Sequence, residues 1–229
     1  MRPLVASLGI ALLSSLWAQP AGAVDLSAEL GIVSDYRYRG YTLSAGKPAL
    51  QGSLTLEHGS GAYASIWSST IDEPDFDADI ELDVAAGYWL ELSESLGLDL
   101  SATYYVYPSE PGSNYAEASA VLERSAGPTT LRAGFSYVPR QAGTRNENGR
   151  LRDNSYLFAG ASYQLSDLPL TLRAEVGHER GYFDEVRRGG KWDWSLGGTF
   201  AVEKMRLGLA YSGTDAGREA LVASFFIDF

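Results

Sequence analysis

Apolar and polar residues alternate along most of the chain, a period of two that predicts half-buried β-strands. Leu26, Ala28, Leu30 and Ile32 share one face, against Ser27, Glu29 and Gly31. Leu50, Gly52, Leu54 and Leu56 alternate with Gln51, Ser53, Thr55 and Glu57. The habit recurs over 79–90, 96–106, 131–137, 170–177, 192–200, 205–212 and 221–229. Runs near Tyr63–Trp67, Tyr115–Glu123 and Tyr156–Leu165 are strand-like, but their facing is ambiguous. The pattern predicts about twelve strands, an even number as bacterial outer-membrane barrels require. No helical period competes with it after the first residues.

Link lengths add an independent argument. Short links at 58–61, 91–95, 125–128, 166–169 and 201–204 alternate with longer ones at 34–47, 69–78, 108–113, 139–154 and 181–190. Strict alternation puts short turns at one end and long loops at the other, the asymmetry of an outer-membrane barrel. A final short hairpin at 214–218 is the exception on the long-loop side. A soluble barrel or sandwich shares the period of two, with its apolar face inside. The alternating links, and a polar face rich in Gly, Ser and Thr, favour the transmembrane reading. The expected fold is therefore all-β, an antiparallel up-and-down barrel over residues 24–229.

The start of the chain reads differently. Met1-Arg2, an apolar stretch from Leu4 to Trp17 and the small residues Ala21-Gly22-Ala23 form a secretory signal pattern, with cleavage expected after Ala23. Export and strand patterning together point to the cell outer membrane. Aromatic residues at strand ends (Tyr36, Tyr38, Tyr104, Tyr105, Tyr107, Tyr137, Trp192 and Trp194) suit the two girdles at the lipid–water boundary. The chain stops on Phe225, Ile227 and Phe229, an alternating apolar end resembling the signal read by the barrel-assembly machinery.

Composition narrows the function. A net charge of -11 argues against nucleic acid, and the absence of cysteine removes disulfides and thiolate chemistry. His58 lies in a Gly/Ser turn, and His178 falls on the outward phase of its strand. The nearby Ser195 points the other way and has no evident orienting group, so an enzyme is not expected. No cofactor is implied. Asp75, Asp77 and Asp79 alternate in an outer loop but lack the calcium-loop pattern, since Ile80 and Ala86 stand where its Gly and Glu belong. A solvated acidic loop is the default reading there, and no metal is assigned.

Ser34-Asp35-Tyr36-Arg37-Tyr38-Arg39-Gly40, followed by Ser44 and Pro48-Ala49-Leu50-Gln51-Gly52, resembles the opening of the TorF family of proteobacterial porins. Residues 62–69 and the acidic strand around Glu81-Leu82-Asp83 are similar to that family too. The resemblance implies a porin-like outer-membrane barrel without a defined substrate, and a hallmark of unknown role at Arg37, Tyr38, Arg39 and Gly40.

In such a barrel the working residues line the lumen. The alternation assigns there Glu29, Arg37, Arg39, Glu57, Glu81, Asp83, Asp99, Glu117, Arg132, Arg173, Glu175, Asp193 and Arg206. Roughly eight strands leave a filled interior and sixteen to eighteen an open channel, so twelve implies a narrow passage for small polar or ionic solutes. Carboxylates outnumber guanidiniums in this set, which leans towards cation preference. For any single residue, pairing across the lumen is the commoner role. Arg37 and Arg39, two apart, would point the same way on an extended strand, as a basic rung or as partners of Asp72, Glu73 and Asp75. A monomer in outer-membrane lipid is expected. The alternative is a closed structural or adhesive barrel that binds a partner through its outer loops, the longest of them at 139–154.

Overall fold

Each period-two run becomes one strand, and the strands pair in chain order. The structure, a computed structural model, describes residues 23–72, 77–184 and 189–229. Its strands are β1 (Val24–Val33), β2 (Arg37–Tyr38), β3 (Tyr41–Thr42), β4 (Ala49–His58), β5 (Ala62–Thr70), β6 (Ile80–Ser93) and β7 (Leu96–Val106). There follow β8 (Tyr115–Ala126), β9 (Thr129–Val138), β10 (Asn154–Gln164), β11 (Leu170–Gly181), β12 (Lys191–Val202), β13 (Met205–Thr214) and β14 (Ala220–Asp228). Among the described residues, twelve of these strands form one closed antiparallel barrel, and β2–β3 form a separate two-stranded hairpin. The predicted signal segment lies almost wholly outside the described residues, as do Glu73 and Asp75.

Closure is made by β1, which pairs with β4 from Val24↔His58 to Val33↔Ala49 and with β14 from Glu29↔Asp228 to Val33↔Ser224. Arg206 on β13 reinforces this seam from inside, ion-paired with Glu29 of β1 and with Asp228 of β14. Short turns join β4 to β5, β6 to β7, β8 to β9, β10 to β11 and β12 to β13. They lie at the end that also carries both Val24 and Asp228.

The facing follows the alternation. Leu26, Leu30, Leu50, Leu54, Leu100, Leu131, Leu172, Leu196, Leu207 and Leu221 all point outward and are exposed. An apolar belt of that extent needs an apolar medium around it. Glu29, Gln51, Glu81, Asp83, Asp99, Glu117 and Arg206 point inward and are buried. The three strands of ambiguous facing place aromatic residues inside: Tyr63 and Trp67 on β5, Tyr115 on β8, Tyr156 and Phe158 on β10. Phe225, Ile227 and Phe229 take the outward phase of β14, Phe229 being 67% exposed.

The aromatic girdle is smaller than expected. Tyr104, Tyr137 and Trp192 are exposed on the outer face, but Tyr36, Tyr105 and Tyr107 are buried inside, with Tyr38 packed against them. With Trp67, Ile71, Tyr115 and Val138 they form the main apolar cluster, near the long-loop end. Strand-end position alone does not say which face a ring takes.

Outward Leu196, 63% exposed near the middle of β12, should not tolerate charge. Leu196→Arg is expected to destabilise the barrel in lipid vesicles by about 2–4 kcal/mol. The neighbouring inward Ser195→Arg should be tolerated far better, and urea titration of the refolded variants checks the contrast.

Candidate functional site

The lumen is shaped by the segment between β1 and β4, which folds into the barrel. Its β2–β3 hairpin turns on Arg39 and Gly40, with φ of 48° and 76°. Positive φ at both central residues is the two-residue turn that suits the twist of paired strands. Any side chain at Gly40 would collide with the Gly213 carbonyl on β13, so the hairpin tip packs tightly against that strand. The Arg37-Tyr38-Arg39-Gly40 stretch is thus a turn within the lumen. Arg37 and Arg39 therefore do not form a rung on one extended strand, because the left-handed Arg39 redirects its side chain.

Arg39 acts as a clamp across the mouth. Its Nη2 donates to both carboxylate oxygens of Glu117 on β8 at 2.7 Å, and its Nη1 to Glu179 on β11 at 2.8 Å. The guanidinium lies 4.2 Å from the Tyr156 ring centroid and 4.7 Å from that of Tyr38. Glu179 also accepts from Lys191 Nζ at 2.7 Å and Asn154 Nδ2 at 3.0 Å. Burial works against the Arg39 charge, but Glu117 foremost, with Glu179, holds its pKa well above the ordinary value.

The rest of the hairpin is anchored in the same way. Arg37 Nε donates to Asp35 at 2.6 Å, and its Nη1 reaches the carbonyls of Gly40 and Arg218. Tyr36 and Tyr107 donate to Glu81 at 3.0 and 3.2 Å, and the Tyr38 and Tyr105 hydroxyls lie 2.9 Å apart. Burial, then the charges of Glu81 and Asp83, raise the pKa of Tyr36 and Tyr107 well above the usual tyrosine value. Both hydroxyls therefore stay donors.

Most inward carboxylates are engaged. Asp99 accepts from Tyr63, Asp193 from Tyr156 at 3.0 Å, and Glu29 from Arg206. Asp83, 2% exposed, has neither carboxylate oxygen bonded among the described residues. Glu29, Glu117 and Glu179 are thus paired with cations, whereas Asp99 and Asp193 accept from tyrosine hydroxyls that leave their charge in place. Asp72 pairs with Lys47 rather than with Arg37 or Arg39.

A cavity of about 320 Å³ lies beneath the hairpin. One wall, on β12–β14, presents small inward residues, among them Ser195, Gly197, Gly208, Ala210, Ser212 and Ser224. The wall that continues from it carries Arg173 and Glu175 of β11, beside Gly197 and Ser195, and then Arg132 of β9. The hairpin and the aromatic cluster pack inside the lumen beside it.

Glu179 and Lys191 were not singled out by sequence. Both continue an inward phase already in view, Glu179 after Arg173, Glu175 and Gly177, and Lys191 before Asp193. His178 stands on the outer face, its ring 4.6 Å from that of Trp192 and its Nε2 2.8 Å from the Gly189 carbonyl. The long 139–153 link does not project freely. Gln141 bonds the backbone of Ala116 at 2.8 Å in both directions, and Gly143 packs on Asn114.

In fold the barrel is similar to solved outer-membrane proteins. The KdgM porin aligns with a TM-score of 0.62 and 7% identity, over 89% of this chain and 98% of that one. The NanC porin gives 0.59 and 11% identity, over 89% and 98%. The outer membrane channel COG4313 from Pseudomonas putida F1 gives 0.53 and 11%, over the whole of both chains. No curated protein matches significantly in sequence. The model of Gcw_chp, a bacterial protein family of unknown function, matches residues 17–227.

Arg39→Ala would leave Glu117 and Glu179 without their shared cation, and breaking a buried pair this way costs about 3–5 kcal/mol. Proteinase K is expected to cut the folded variant between residues 37 and 47 and to spare the wild type. Equal resistance would contradict the clamp.

Proposed function

The chain belongs to the Gcw_chp family, and for this member we propose passive diffusion of small polar or ionic solutes across the outer membrane. The observation that carries this reading is the eccentric cavity. It lies inside a closed barrel, bounded by small residues on β12–β14 and by charged side chains on β9 and β11. Porins among the structures of similar fold support the same reading. The β2–β3 hairpin is the constriction, because it spans the mouth from β1 to β8, β11 and β13.

The closer kinship with TorF-family porins belongs to this proposal and is supported by the 34–52 segment. So do a monomeric state, an exported precursor cut after Ala23, and delivery by the barrel-assembly machinery through Phe225, Ile227 and Phe229. No catalytic role is assigned, because His178 lies on the outer surface, away from the inward-facing Ser195.

Single-channel recording in planar bilayers tests the proposal. The refolded protein, residues 24–229, should give discrete steps in KCl. Ala210→Trp on the small-residue wall should lower conductance by roughly half or more, since pore width governs passage. Arg39→Ala should raise it. A verified folded barrel without conductance would contradict the proposal and favour a closed barrel that binds a partner through its outer loops.

A further inference from the structure

Arg132 leaves Nε and Nη2 buried without a hydrogen-bond partner among the described residues. These two nitrogens form one edge of the planar guanidinium, a fork that matches a carboxylate bidentately. The edge is held in place, because the Phe158 ring centroid lies 5.5 Å from the guanidinium carbon. Buried charged donors left unmatched are costly, so a fixed, empty fork on a cavity wall points to an incoming acceptor.

The register shows what surrounds it. Arg132 stands opposite Glu123 of β8 on one side and Gly160 of β10 on the other, and Gly160 stands opposite Glu175, in one row over β8, β9, β10 and β11. Gly160 has no side chain, and the Glu175 side chain leans over it towards Arg132, its Oε2 3.1 Å from where a Cβ would stand. Arg173 stands in the adjoining row, opposite Ser162. Arg132, Arg173 and Glu175 line the same cavity. None of the three forms an ion pair with another described residue, although both arginines act electrostatically on Glu175.

We propose that this cavity binds a small hydroxylated monocarboxylate, an inference that rests on reading the lumen as a solute path. With Glu123 of β8 counted, two guanidiniums face two carboxylates, so a single added negative charge is tolerated better than two. Arg132 takes the carboxylate in its fork, and Arg173 adds charge beside it. Glu175 accepts from a hydroxyl of the solute and disfavours dianions. Ser136 on β9, Ser195 beside Glu175 on β12 and Ser212 on β13 supply further partners for hydroxyl groups.

Gluconate and sorbitol test this directly, since they differ in carrying a carboxylate or a neutral CH₂OH at one end. Saturation-transfer NMR on the folded barrel in detergent reads binding without requiring conduction, so failure of this site and failure of the pore reading are distinguishable. Gluconate is expected to show transfer and sorbitol little. Arg132→Gln should weaken gluconate about ten-fold, the usual effect of losing a charged hydrogen bond. Arg132→Lys, which keeps the charge but not the fork, should also weaken it, and this variant serves if Arg132→Gln does not fold. Equal transfer from both compounds, or an unchanged signal in the folded variants, would overturn the proposal. Stronger competition by inorganic phosphate than by acetate would overturn the assignment to a carboxylate.

Discussion

Inside a bilayer no water is available to satisfy backbone N–H and C=O groups, so a sheet can cross only if it has no edge. The pairing of β1 with both β4 and β14 meets that demand, and the rest of the molecule follows from it. A closed sheet has an inner and an outer face, and alternate residues are committed to one or the other. That commitment places the leucines in the lipid and most acidic strand residues in the lumen. It also explains why Arg206, Glu29 and Asp228 meet where the first and last strands join.

Closure with twelve strands creates an interior too wide to leave unattended and too narrow for a wide aqueous channel. The chain fills part of it with the β2–β3 hairpin and the tyrosine-rich cluster. Arg39 ties that hairpin to β8 and β11, across the lumen from β1, its charge offset by Glu117 and Glu179. On β12–β14 the inward positions are Gly, Ala and Ser, so space remains. The cavity is therefore eccentric, bounded by backbone and hydroxyls on β12–β14 and, next along the wall, by Arg173, Glu175 and Arg132.

The barrel was legible in the sequence because its outer face is made almost wholly of apolar residues. The alternation of link lengths then showed which end carried the loops. Facing was lost on β5, β8 and β10, where Tyr63, Trp67, Tyr115 and Tyr156 put aromatic rings on the inside and blurred the contrast between faces. The same ambiguity assigned Tyr36, Tyr38, Tyr105 and Tyr107 to a girdle when they line the lumen. The lumen charges on regular strands, such as Asp83, Asp99 and Arg132, could be read from phase alone. Arg39 could not, since its role depends on a turn conformation and on partners 78 and 140 residues away. Nor does counting charges reveal which of them are already paired.

The central claim is that the inner face of β13 borders a wet passage while its outer face lies in lipid. The chain has no cysteine, so single cysteines introduced along β13 report without background. The measurement is labelling of positions 207 to 212 by a charged, water-soluble thiol reagent on the barrel in lipid vesicles. The account predicts a period of two, with labelling at Gly208, Ala210 and Ser212 and protection at Leu207, Leu209 and Tyr211. Labelling of the second set with protection of the first, or uniform protection, would contradict it.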